Sequence, residues 1–251
     1  MNKNIMEEKK TNYLFGMHSV MEALLSGKKI EKVLFKQGLE GIQFRELLEK
    51  LQLAEVPVQF VPVERLNRVT RGNHQGVIAL ISQIDYMPLE EMVDNAFART
   101  KAPIFMLLDG VSDVRNFGAI ARTAECAGVS GVIVPAKGGA AVNAEAIKTS
   151  AGALLRINTS KVQNLRMAIY YLKENGFQIV AATEKAEDFI YDIDFKLPTA
   201  IIMGSEGKGI SDSVLALCDA KAKIPMNGEI GSLNVSIAAS ILLFEAVRQR
   251  N

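Results

Sequence analysis

Four short apolar runs in the second half of the chain, Ile104–Leu108, Val132–Val134, Ile179–Ala182 and Ala200–Met203, constrain its fold more than any other feature. Each run is continuous rather than alternating, so the strand it forms has to be buried on both faces. Segments with helical spacing, such as Leu165–Leu172, lie between the runs. Strands covered on both faces and separated by helices assemble into a largely parallel sheet with helices on either side. The predicted fold class is therefore α/β, with a doubly wound layer over residues 104–251.

The first third of the chain follows a different pattern. Helical spacing at Met17–Leu25, Phe44–Leu51 and Val63–Val69 alternates with strand signals at Val33–Phe35, Val58–Val61 and Val77–Ile81, which predicts a small α/β unit over residues 12–82. Residues 83–103 read as a linker: Tyr86-Met87-Pro88 breaks the strand pattern, and Leu89–Ala98 can form one charged helix before Pro103. Polar, charge-rich Met1–Thr11 reads as a flexible start without the apolar core of a signal peptide. With 251 residues, 49% of them hydrophobic, the chain can support two cores.

Several function classes drop out early. No stretch offers about eighteen uninterrupted apolar residues, because Ser236, Ser240 and Glu245 break the C-terminal run. A soluble, cytoplasmic protein without a membrane partner is expected. Cys126 and Cys218 lie in apolar or helical sequence and lack metal-knuckle spacing, which predicts buried, reduced thiols and no metal site. The formal net charge of +1 neither demands nor excludes a nucleic-acid partner.

The chemistry concentrates in three polar turns, each following an apolar strand. In the first, Asp109–Gly128, Asn116 is placed to cap the next helix and Arg122 follows less than two turns later. A capped helix with a solvated arginine describes this turn equally well. The second turn, Gly204–Gly209, has neither the spacing of a phosphate-cradling P-loop nor the G-x-G-x-x-G register of a dinucleotide oxidoreductase. Glu206 between Gly204 and Gly207 does place a carboxylate beside approachable backbone, which suits a ligand with hydroxyl or ammonium donors. The third turn runs from Ile224 through Ser236 into the apolar Ile237–Val247 segment. Backbone donors and acceptors beside a wall of apolar residues are how a protein holds a small polar cofactor.

Together these residues resemble a known family. Asn116-x-Gly118 with Arg122, then Gly204-Ser205-Glu206-Gly207-x-Gly209, then Ile224-Pro225-Met226 with Ser232-Leu233-Asn234-Val235-Ser236, look like the three motifs of the SpoU (TrmH-type) RNA ribose 2′-O-methyltransferases, in the family's order. Gly16-x-x-x-Val20-x-x-Ala23-Leu24 and Asn73-His74-Gln75-Gly76-Val77 are similar to the ribosomal-protein-like RNA-binding domain of one branch. That branch includes bacterial enzymes that methylate a guanosine of large-subunit rRNA.

The resemblance implies S-adenosylmethionine as methyl donor, a pocket made by a C-terminal trefoil knot, and a homodimer packed around the last helix. Pattern alone shows no knot, a topology that is very rare. Carried over by position, Arg122, Asn116, Glu206, Ser232 and Asn234 form the catalytic polar cluster. Thr183, Met203, Gly204, Glu206, Gly207, Ile224, Met226, Ser232, Leu233 and Asn234 form the cofactor pocket. Val114-Arg115 stands where the family often has a proline before the motif asparagine, which leaves Arg115 free for a phosphate. Arg68, Arg71, His74 and Gln75 are the further RNA-contact candidates. The expected activity is 2′-O-methylation of a guanosine in 23S rRNA. A tRNA ribose methyltransferase and a non-catalytic ribosome-assembly factor are the alternatives.

Overall fold

The computed structural model describes residues 13–70 and 72–251. The chain divides into two compact units between Gln83 and Ile84. The Met1–Thr11 reading and Arg71 lie outside the described residues.

In the first unit the chain runs β1 (Tyr13–Phe15), α1 (Met17–Leu25), β2 (Ile30–Lys36), α2 (Ile42–Leu53), β3 (Val58–Val61), α3 (Val63–Val69) and β4 (Val77–Ile81). The four strands lie in the order β1-β4-β2-β3, with β4 antiparallel to both neighbours and β2 parallel to β3. Alternation along β2 splits the core. Val33 and Phe35 join Val20 and Ala23 of α1 and Leu47 and Leu51 of α2, while Leu34 packs with Val61, Leu66 and Ile78 on the opposite face. Strand β1 escapes a reading by pattern because three residues show no period, and only its pairing with Ile78–Leu80 defines it.

The second unit contains α4 (Leu89–Arg99), β5 (Ile104–Asp109), α5 (Val114–Cys126), β6 (Gly131–Pro135), α6 (Ala144–Thr149), β7 (Thr159–Val162), α7 (Leu165–Glu174), β8 (Gln178–Ala182), β9 (Thr199–Gly204), α8 (Asp212–Leu215), β10 (Ala220–Ala222) and α9 (Val235–Arg250). Its six strands are ordered β10-β8-β9-β5-β6-β7 and every neighbouring pair is parallel. Strand β5 shows why its run is unbroken. Ile104, Met106 and Leu108 face Phe117 and Ile120 of α5 and Leu242 and Leu243 of α9. Phe105 and Leu107 face Met92 and Val93 of α4 and Ile169 and Leu172 of α7. The α/β layer covered on both faces is thus present as the apolar runs required.

Three details differ from the sequence reading. The 83–103 stretch is no spacer: α4 buries Leu89, Met92, Val93 and Ala96 against the sheet. Each of the three larger side chains contributes on the order of 1.5–3 kcal/mol by burial, so the helix belongs to the second unit. Strands β7 and β10 were not expected, because both are short edge strands with polar residues. Cys126, expected buried, is exposed at the last residue of α5, and Cys218 is half-buried. Burial and the neighbouring Asp219 push the Cys218 thiol up to about 11. Among the described residues, no helix is long and apolar enough to cross a membrane.

Candidate active site

The site forms at the carboxyl ends of β5 and β9, adjacent strands in register from Ile104 opposite Thr199 to Asp109 opposite Gly204. Ligands of open α/β sheets bind outside these strand ends. The Asp109 carboxylate accepts the Ser211 N–H at 2.8 Å and ties the loop after β9 to β5. Within that loop Ser205 and Gly209 exchange backbone hydrogen bonds of 3.0 and 2.9 Å. Gly207 and Gly209 supply the positive φ angles, 87° and 68°, that so tight a reversal needs.

Asn116 does not cap α5, contrary to the sequence reading. Asp113 is the cap, its carboxylate accepting the N–H groups of Arg115 and Asn116 at 2.9 and 2.8 Å. The Asn116 side chain is consequently free to reach across the strand ends. Its Nδ2 donates to Glu206 Oε1 at 2.7 Å. Asn234 Nδ2 donates to the same oxygen at 2.8 Å and to Asn116 Oδ1 at 3.0 Å. The first turn of α5, the loop after β9 and the N-cap of α9 therefore close a hydrogen-bonded triangle around one carboxylate oxygen.

Beside the triangle lies a cavity of about 500 Å³, within the usual range of roughly 300–1,000 Å³ for small-molecule sites. Thr183, Met203, Gly204, Glu206, Gly207, Ile224, Met226, Ser232, Leu233 and Asn234 all line it. Glu184, Ser205 and Lys223 line it too and were missed by the sequence reading. Each is a chain neighbour of a residue already singled out, so adjacency was the available signal. The Lys223 ammonium lies 5.0 Å from the centre of the Phe189 ring, bracing the cavity wall. Among the described residues, no group of three or more His, Cys, Asp or Glu side chains could hold a metal ion.

Arg122 is not brought to the triangle. Six positions after Asn116, it leaves α5 about 120° away around the helix. It is exposed, lies outside the cavity lining, and has no hydrogen-bond or ion-pair partner among the described residues. Arg115 is engaged instead of free: its Nε donates to Glu145 Oε1 at 2.8 Å. With the two side chains 78% and 51% exposed, this ion pair is a weak surface contact.

In the first unit, Arg68 is exposed on α3. His74 and Gln75 are both used locally. His74 Nδ1 accepts the Gly76 N–H at 3.0 Å, and Nε2 lies 2.9 Å from Asn67 Oδ1. This pairing fits a neutral ring protonated at Nε2. Gln75, with φ at 50°, turns its Oε1 back to accept the N–H of Met17 at 3.2 Å, at the start of α1. The Gly16 and His74-Gln75 segments of the sequence thus meet at one helix terminus.

A parallel α/β layer with three polar loops gathered at its strand ends, preceded by a separate small α/β unit, is the architecture of an RNA methyltransferase. The chain belongs to the SpoU rRNA Methylase family, which it matches over residues 103–244. Residues 13–87 match the RNA 2′-O ribose methyltransferase substrate binding family. Among relatives, the TrmH family tRNA/rRNA methyltransferase homologue YacO of Bacillus subtilis is 32% identical over 240 residues, 96% of each chain. A Staphylococcus saprophyticus member is 36% identical over 238 residues, 95% of this chain and 96% of its own. The AdoMet-bound rRNA methyltransferase from Sinorhizobium meliloti is similar in structure, with TM-score 0.60, 29% identity, and 94% and 86% of the two chains covered. A TrmH/SpoU tRNA modifying enzyme of A. aeolicus aligns with TM-score 0.55 and 33% identity over 64% of this chain and 82% of its own.

Proposed function

We propose that this protein uses S-adenosylmethionine to methylate the ribose 2′-hydroxyl of a guanosine in 23S rRNA. The observation that carries the reading is the triangle of Asn116, Glu206 and Asn234 at the edge of a cavity lined by all ten cofactor candidates. The donor set fits the cofactor. Glu184 and Glu206 offer carboxylates to an ammonium or ribose hydroxyls, glycine-rich segments expose backbone, and Met203, Ile224 and Leu242 supply apolar wall for a heterocycle. When bound, S-adenosylmethionine supplies an electrophilic methyl group on a sulfonium.

The protein's part is alignment and charge control. The triangle holds the Glu206 carboxylate in one orientation, with Oε1 occupied by two amide donors and Oε2 left to face a ligand. Holding reacting groups in a near-attack arrangement is worth several orders of magnitude in rate. A guanidinium does not give up its proton in proteins, so Arg122 acts as a clamp on the adjacent RNA phosphate and stabilises charge developing on the ribose oxygen. Its exposure and lack of a partner among the described residues support this role. Arg122→Lys, which keeps the charge and loses the planar fork, is expected to abolish most methyl transfer while calorimetry shows cofactor binding retained. Near-normal turnover would sink the clamp.

The preference for rRNA rests on coverage. The rRNA methyltransferase from S. meliloti aligns with 94% of the chain, first unit included, whereas the A. aeolicus tRNA enzyme aligns with 64%. Residues 12–82 are read as the RNA-binding domain, with Arg68 and Arg71 contributing phosphate contacts there and Arg115 contributing one from α5 of the second unit. The reading also includes a cytoplasmic location, the C-terminal knot, and a homodimer through α9, where Ile237 and Phe244 are each 51% exposed. Mapping 2′-O-methyl groups in cells with and without the gene is expected to show one guanosine mark lost from large-subunit rRNA. Loss of a single tRNA mark with rRNA unchanged would overturn the substrate assignment.

A further inference from the structure

We infer that Ser236 is a positioning residue of the active site, a role that rests on the methyltransferase reading above. Asn234 is the N-cap of α9: its Oδ1 accepts the Ser236 N–H at 2.9 Å. The Ser236 hydroxyl donates to that same oxygen at 2.6 Å. An amide oxygen has two lone pairs, and Ser236 fills both.

The consequence lies on the other end of the amide. With Oδ1 committed to two donors on Ser236, the Asn234 NH₂ must face Asn116 Oδ1 and Glu206 Oε1, where it makes its 3.0 and 2.8 Å contacts. A flipped amide would set NH₂ against the Ser236 N–H, which can only donate, and its oxygen against the Glu206 carboxylate. Both ends would be repulsive. Without the hydroxyl, half of the restraint on the cap side is gone and the Asn234 donors loosen toward Glu206.

Ser236 is itself fixed from behind. It is 9% exposed, and its carbonyl accepts the Ser240 hydroxyl at 2.8 Å. Ser240 lies 3.1 Å from Thr123 Oγ1 on α5. Asn116 and Thr123 are seven positions apart, two turns on one face of α5, so α5 and α9 are joined by side chains both at the triangle and two turns beyond it. Small hydroxyls make that connection without separating the helices. Ser236 touches neither the cavity nor the triangle's carboxylate, and it acts through Asn234 alone.

The test compares Ser236→Ala with Ser236→Thr in the full chain. For Ser236→Ala, kcat for methyl transfer is expected to fall about tenfold, the factor that one well-formed hydrogen bond carries. KM for RNA and the calorimetric Kd for S-adenosylmethionine should stay within about twofold, and Ser236→Thr should recover most of kcat. A Ser236→Ala variant with wild-type kcat, one that loses cofactor affinity in parallel, or a threonine variant no better than alanine would each overturn the inference. A second readout is independent of turnover. The side-chain NH₂ resonances of Asn234, recorded by NMR without cofactor or RNA, should exchange faster in Ser236→Ala than in wild type and be restored in Ser236→Thr; unchanged exchange overturns the positioning role. If the wild-type chain transfers no methyl group to rRNA or tRNA, the functional reading fails, and the amide resonances still decide whether Ser236 orders Asn234.

Discussion

Gly204 and Gly228 both lie in glycine-containing turns of the sequence, yet the structure separates them sharply. A Cβ at Gly204 would run into the backbone of Gly209 and Ile210, whereas one at Gly228 would meet nothing within 4 Å. That peptide group cannot step aside as a flexible side chain can. Gly204→Ala is therefore expected to cost about 1–3 kcal/mol in urea unfolding and to widen the cavity mouth enough to weaken cofactor binding. Gly228→Ala should stay within about 0.5 kcal/mol of wild type, and equal costs for the two would refute this account. Contrasts of this kind recur at the site. The sequence reading placed Asn116 as the cap, and the Asp113 carboxylate's hydrogen bonds to Arg115 and Asn116 show that Asp113 caps while Asn116 is released toward Glu206.

Helix α9 gathers the tension between local pattern and global packing into one element. Its apolar character was plain from the sequence, in which Ser236, Ser240 and Glu245 break the run. All three prove to be partnered. Glu245, 6% exposed, accepts two hydrogen bonds from Arg248 at 2.8 Å and one from Gln249 at 2.8 Å. Gln249 in turn donates to the Ile193 carbonyl and accepts the Phe195 N–H, and Arg250 donates to the carbonyls of Ala102, Phe195 and Leu197. The hydrogen bonds from Arg248 hold the Glu245 carboxyl below the usual carboxylate range, against the opposing effect of burial. A carboxylate whose folded value is lowered adds stability that is fully present above its ordinary value and disappears as pH falls through the lowered one. Wild type should accordingly exceed Glu245→Gln in stability near neutrality, and the gap should close across that acidic window in urea titrations at stepped pH. A gap that stays constant with pH would remove the electrostatic explanation.

At the scale of the whole molecule, α9 carries an apolar stripe that the described residues cover only in part. Ile237, Ile241 and Phe244 recur at helical spacing on α9; Ile241 is partly covered by the core, while Ile237 and Phe244 are each half-exposed. If this stripe forms the proposed homodimer, Phe244→Glu should shift the light-scattering mass from two chains to one with the helix content unchanged; a wild-type protein already measured as a single chain would sink the dimer. What the sequence by itself determined was local or nearly so. Unbroken apolar runs dictated strands buried on both faces, helical spacing dictated the covering layers, and three ordered motifs dictated the family. What the tertiary structure decided was which of those motif residues meet. Asn116 touches Glu206 across 90 positions and Asn234 across 118, because β9 lies directly beside β5 while β8 and β10 lie beyond it. Two other outcomes are local: Arg122 leaves α5 about 120° from Asn116, and Asp113 caps the helix through the N–H groups two and three positions on. Periodicity is a property of a few neighbouring residues, whereas strand order follows from how complete surfaces pack, and no spacing along the chain encodes it.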